Sequence, residues 1–226
     1  MSRMEEAAES TPATGAAEPR ATHGELRLSL TATVLDVGLA GLALESGTRL
    51  TPQGSLTLGL DAADGGGLEI EGRVVWCFFH GTAMADNGEQ VPVYRAGVEF
   101  QDVLTPVAER LLAFLEGRAL VTGETRLFGR FRVANAGPVE LRSTSRFQAV
   151  GLDAASGNLR IETALSLEPV PGATGVLRLL GEEDDFDRVT VVDARRLPAS
   201  AVWALELALD DRSPAALALL RERAGL

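Results

Sequence analysis

The chain has 226 residues, 46% of them hydrophobic, enough for one large domain or two of about 100 residues each. Its net charge is −11, which argues against wholesale binding to DNA or RNA, where neutralising phosphates dominates affinity. All 21 basic residues are arginine, so Schiff-base chemistry and a phosphate-loop lysine are excluded.

Residues 1–22 are rich in Ala, Glu, Thr, Ser and Pro and carry little to bury; they read as a disordered tail. The N-terminus is acidic rather than basic-then-apolar, and no run of about eighteen apolar residues follows. A soluble, cytoplasmic protein without membrane insertion is expected.

From Glu25 the pattern turns to short β segments. Leu26, Leu28 and Leu30 alternate with polar residues, as a strand with one buried face requires. Turn signals recur at Gly38, Gly41, Gly47, Pro52 to Gly54, Gly65 to Gly67 and Asn87-Gly88. Between them lie the apolar runs Leu56 to Leu60, Val74 to Phe79 and Ala96 to Phe100. Such spacing suggests a small antiparallel barrel or sandwich.

Within the run Val74 to Phe79, Cys77 is the only cysteine, so no intrachain disulfide or multi-cysteine zinc site can form. It reads as a small buried hydrophobe. His80 and His23 are the only imidazoles, and Trp76 and Trp203 read as core or seam residues. Thr105-Pro106 then opens a helix, with Val107, Leu111, Phe114 and Leu115 on one face and Gly117 at its end.

The second half repeats the plan. Strands are expected at Phe131 to Val133, Val139 to Leu141, Phe147 to Leu152, Leu159 to Ile161, Val176 to Leu180, Val189 to Val192 and Val202 to Leu209. The acidic run Glu182 to Asp187 reads as a solvated hairpin turn, and Ser213-Pro214 opens a closing helix. Gly97-Val98-Glu99-Phe100 ahead of Pro106 lies beside Ala204-Leu205-Glu206-Leu207 ahead of Pro214, which suggests duplication.

Four ordered stretches in the first unit carry a family resemblance: Ala32 to Leu44, Gly54 to Leu60, Arg73 to Trp76 and Tyr94 to Phe100. They resemble the PilZ family, a six-stranded antiparallel barrel followed by a helix, whose best-known members bind cyclic di-GMP. The second unit resembles it more loosely, through Arg126-x-x-x-Arg130 ahead of its first strand and the turn stretch Val150 to Ile161. The resemblance implies a mainly β chain of two six-stranded antiparallel PilZ-like β-barrels in tandem, each followed by a C-terminal α-helix, over residues 23–118 and 119–226.

It also implies a non-enzymatic bacterial signalling protein with no cofactor, whose ligand is cyclic di-GMP. The family's Asp-x-Ser-x-x-Gly turn is degenerate in both units. In the first, Asp36 and Gly41 fit but Gly38 replaces the serine, and no arginine pair precedes it. In the second, Asp153 fits, Ala155 and Asn158 do not, and Ser156 and Gly157 lie out of register. A ligand is therefore expected at the second unit, against Arg126, Arg130, Asp153, Ser156 and Gly157, and none at the first. Arginine suits it, forking onto phosphate or the guanine edge, and aspartate accepts from guanine donors. Arg118, Arg126, Arg130, Arg132, Arg142 and Arg146 form a basic island with only Glu124 and Glu140 among them. The alternative is a degenerate adaptor that binds no nucleotide and docks on a protein partner in motility, secretion or signalling.

Overall fold

Large apolar residues at alternating positions give a strand one face to bury, and Leu26, Leu28, Ala32 and Val34 are all buried in β1 (His23–Gly38) of the computed structural model. The structure describes residues 23–38, 40–61, 67–85, 88–101, 106–107, 109–111, 130–132, 138–153, 155–179, 187–198 and 200–209. After β1 come β2 (Gly41–Ser46), β3 (Ser55–Asp61), β4 (Gly67–Met84) and β5 (Gln90–Phe100). The second half adds β6 (Arg130–Arg132), β7 (Pro138–Leu152), β8 (Leu159–Ala164), β9 (Thr174–Leu179), β10 (Asp187–Arg196) and β11 (Val202–Leu209). Residues 106–107 and 109–111 are helical, with Leu111 buried. The rest of that helix, the expected helix from Pro214, most of the acidic turn, the tail 1–22 and the boundary at 118–119 lie outside the described residues.

The chain is mainly β, and the 11 strands among the described residues form one antiparallel sheet. The pairings make two closed circuits. One runs β1–β2–β5–β4–β3–β7 and back to β1. The other runs β7–β8–β11–β10–β9–β1 and back to β7. Sequence led us to expect two units that each own six strands; here β1 and β7 serve both circuits. Length makes this possible. At 16 and 15 residues, each strand has room for two neighbours on one edge: β9 then β2 along β1, β3 then β8 along β7. The stretches Val139 to Leu141 and Phe147 to Leu152, separate in the sequence reading, are one strand bridged through the buried Ser143.

The two circuits match at their bulges. A bulge follows Val34 in β1 and Ala149 in β7, and another follows Val74 in β4 and Val191 in β10. Counted from the first pair of bulges, Leu28 corresponds to Ser143, and these two residues also pair with each other. Counted from the second pair, Leu50 corresponds to Leu167, and these two form an isolated bridge. Around that bridge Thr51 N–H donates to the Ser166 carbonyl at 2.8 Å, and Glu168 N–H donates to the Arg49 carbonyl at 2.9 Å. Both points are self-paired, so an approximate two-fold relates the halves. The bulges also set the alignment of β5 with β11: Val98 corresponds to Leu207, rather than to Leu205 as the sequence reading had it.

One hydrophobic cluster runs through both halves, from Leu26, Leu28 and Leu58 to Leu141, Ile161, Leu177 and Leu207. Its polar members are hydrogen-bonded, as burial requires. Ser143 Oγ accepts the Ser166 N–H at 3.1 Å, and the Thr163 hydroxyl donates to the Arg146 carbonyl at 3.0 Å.

Candidate functional site

The β1–β2 turn carries Asp36, Gly38 and Gly41. Gly38 pairs with Gly41 across it, and the Ala40 carbonyl accepts the Phe100 N–H at 2.9 Å. Gly41 has a packing reason to be glycine: a Cβ there would collide with the Val98 carbonyl oxygen of β5. On the other edge of β1, β6 runs antiparallel to this turn, with Asp36 opposite Arg132, Val37 opposite Phe131 and Gly38 opposite Arg130. The arginine segment that precedes the second unit in sequence therefore lies beside the degenerate motif of the first. Arg126 lies outside the described residues.

The β7–β8 turn binds itself. Asp153 N–H donates to the Asn158 carbonyl at 2.9 Å, and Gly157 N–H donates to the Asp153 carbonyl at 2.8 Å. The Asp153 carboxylate accepts the Ala155 N–H at 2.9 Å, and Ser156 Oγ accepts the Asn158 N–H at 3.2 Å. The Ala155 N–H, followed by the Ser156 hydroxyl, holds the Asp153 carboxyl below its ordinary pKa. Gly157 sits at φ +73°, the left-handed conformation that glycine adopts without steric cost. Asn158 donates from Nδ2 to Glu206 Oε1 at 2.6 Å. These residues account for one another as an Asx-type turn.

Arg130 and Asp153 are not brought together. Arg130 precedes β7 and Asp153 follows it, so the length of that strand, roughly 45 Å at 3.3 Å per residue, lies between them. The expected site joining Arg130 to Asp153, Ser156 and Gly157 therefore splits into two turns at opposite ends of β7. The basic island is also thinner than its sequence. Arg142, only 18% exposed, pairs with Glu69 at 2.6 Å and with Glu140 at 3.5 Å. Arg146 is exposed.

A surface that the sequence reading placed inside lies on the β4–β5 hairpin. Buried positions alternate along β4 as far as Val74; beyond the bulge no residue is buried. Trp76 is 37% exposed and Phe78 51%, their rings stacked 5.3 Å apart, while Phe79 (58%) meets Tyr94 edge-on at 5.8 Å. Trp76 lies across Gly97, where a Cβ would strike its indole. The signal was present in sequence: consecutive apolar residues from Val74 to Phe79 break the period of two that a one-faced strand requires. Cys77 is half-buried rather than buried as read. It packs on the core, the Leu50 N–H donates to its Sγ at 3.4 Å, and burial pushes its thiol pKa up, away from a reactive thiolate. Trp203 packs against the core.

Among the described residues no group of three or more His, Cys, Asp or Glu is placed to hold a metal, and no helix is long and apolar enough to cross a membrane. The chain matches no family model, no curated protein and no solved structure.

Proposed function

We propose that the chain is a non-enzymatic, PilZ-like signalling module, each circuit of strands being a six-stranded barrel of that kind. We place its cyclic di-GMP site at the β1–β2 turn of the first half, completed by the arginine segment of the second. One observation carries the reading: the register Gly38 to Arg130 and Asp36 to Arg132, which lays that arginine lead-in along the turn holding Asp36, Gly38 and Gly41. Arginine forks onto phosphate oxygens or the guanine O6 and N7, and aspartate accepts from guanine N1 and N2 donors, so the pair has the donor set for this dianion.

Calorimetric titration of the full chain with cyclic di-GMP tests this. Loss of one charge-assisted contact costs about 1.5–3 kcal/mol, so Arg130→Ala and Asp36→Ala should each weaken binding roughly tenfold to a hundredfold. Asp153→Ala should leave it unchanged, because that carboxylate already serves its own turn. Loss of binding on Asp153→Ala but not on Asp36→Ala would move the site to the second half.

A second reading is the adaptor that binds no nucleotide and regulates a motility, secretion or signalling partner by protein contact. The exposed aromatic side chains of the β4–β5 hairpin favour it. Absence of any heat with wild-type protein would leave this reading standing.

A further inference from the structure

The two-fold sets a glutamate at the same rung of each long strand. Counted from the first pair of bulges, Glu25 of β1 corresponds to Glu140 of β7, and Arg27 corresponds to Arg142. Their neighbours differ. Glu25 lies between Arg146 on β7 and Arg178 on β9; it accepts from Arg178 Nη2 at 3.4 Å and has Arg27 at 3.9 Å. Glu140 lies between Thr31 on β1 and Gly59 on β3, both small and uncharged. Gly59 stands in the place of Arg178 itself, since each faces the corresponding glutamate across the rung.

Oppositely charged cross-strand partners stabilise a sheet, and Glu140 has neither of those that Glu25 has. Arg142 does not replace them. Its Nη2 reaches over Gly59 to Glu69 at 2.6 Å, and its buried Nε, 3.5 Å from Glu140, makes no hydrogen bond. Arg110 donates to the Gly67 carbonyl at the rim. Beside Glu140 is a hollow of about 540 Å³, within the size range of small-ligand sites. Ser29, Thr31, Gly59, Glu69, Glu140 and Arg142 line it.

We infer that this hollow binds an alkylguanidinium cation, paired with the Glu140 carboxylate beside the Ser29 and Thr31 hydroxyls. The second half shows the chemistry that satisfies this glutamate, a guanidinium presented from the neighbouring strand. In the first half β3 supplies none, and the space for one is open. A guanidinium forks onto a carboxylate, and it is more weakly hydrated than an ammonium, so it gives up less on entering. An acidic chain also attracts cations from solution. This inference goes beyond the nucleotide reading: it concerns a cation, and the hollow shares no residue with the β1–β2 turn.

Calorimetric titration of the full chain with n-butylguanidinium and with acetyl-Gly-Arg-Gly-amide tests it, with circular dichroism as the folding check. Both probes should bind wild type, and Glu140→Gln should weaken both by roughly tenfold or more, the loss of one charge-assisted contact. Gly59→Arg copies Arg178 and brings its own guanidinium to Glu140, so it should bind neither probe. It fits, because the nearest atom to a Cβ there is Arg142 Nη2 at 3.1 Å, the end of a flexible side chain. Glu25→Gln should leave binding unchanged, since Arg178 already serves that carboxylate. Tighter binding of the peptide assigns the cation to an arginine of a protein partner, and tighter binding of butylguanidinium assigns it to a free small molecule. Should Glu140→Gln misfold, folded Gly59→Arg decides alone, and binding retained there overturns the inference. So would no binding by wild type, equal binding by folded Glu140→Gln, or a loss on Glu25→Gln as large as on Glu140→Gln.

Discussion

The β4–β5 and β10–β11 hairpins hold the same place in the two circuits, with the same bulge, yet present opposite surfaces. Aligned on that bulge, Trp76, Phe78 and Phe79 of the first correspond to Asp193, Arg195 and Arg196 of the second. Gly97, which admits the Trp76 indole, corresponds to Glu206, which instead accepts from Asn158. The first hairpin also extends to Met84, whereas the second turns back after Arg196. Framework and surface differ independently between the halves. Buried positions repeat between the halves because they close a shared core, and the exposed rungs are free to specialise. The turns show the same contrast: β1–β2 is tight and packs on β5, while β7–β8 is longer and binds itself.

The comparison breaks first at what the halves share. Leu28, fully buried on β1 and paired with Ser143, serves both circuits. Leu28→Ala should cost about 2–5 kcal/mol, and both halves should lose that stability in one cooperative transition. Urea unfolding followed by Trp76 and Trp203 fluorescence checks it, since each tryptophan reports one half. Two separated transitions would mean that the halves fold on their own.

Next come the turns. Gly41→Ala drives a methyl into the Val98 carbonyl and should cost about 1–3 kcal/mol, while Gly157→Ala meets open space and pays only for its positive φ, about 1 kcal/mol. Denaturant midpoints of the two variants measured side by side give the order. Equal losses would mean that β1–β2 is no tighter than β7–β8.

Ser143→Ala sharpens the two-fold itself. It leaves the half-buried Ser166 N–H without its acceptor, at a cost of about 1 kcal/mol despite the apolar replacement. Ser143→Leu, which copies Leu28, should do no better, because the N–H stays unpaired. Thermal unfolding of both variants decides whether the hydrogen bond or the volume matters at that position.

The smallest effect is in pH. Asp153 titrates below its ordinary value in the folded chain, so its turn contributes stability that is present above about pH 3.9, the unfolded value, and fades as pH falls through the lower folded one. Asp153→Asn keeps an acceptor for the Ala155 N–H and removes the titration. The variant should therefore lose less stability than wild type between neutral pH and pH 3, measured by denaturant midpoint. A parallel loss in both would show that the carboxylate does not contribute.

Much of this was legible in the residues. Alternation along Leu26 to Val34, Leu56 to Leu60 and Leu205 to Leu209 marks the buried face of each strand, and the glycines mark the turns, because side-chain period and backbone freedom are local properties. The residues Asp36, Gly38, Gly41, Asp153 and Gly157 lie at or between strand ends, where the glycines and aspartates of the sequence mark turns. Their grouping was not. Proximity in sequence joined Arg130 to Asp153, whereas the fold lays Arg130 against Gly38.

What tertiary structure alone decided was partnership. Backbone N–H and carbonyl groups are the same in every strand, so nothing in the alternation of Leu26 and Leu28 says that β1 pairs with β7 and β9 as well as β2. That choice follows from closing one hydrophobic core over both halves, which is a property of the whole chain. Exposure was decided the same way. Trp76 and Phe78 have the composition of a core, and they lie at the surface because β4 continues past the point where β3 has ended and no described strand covers them.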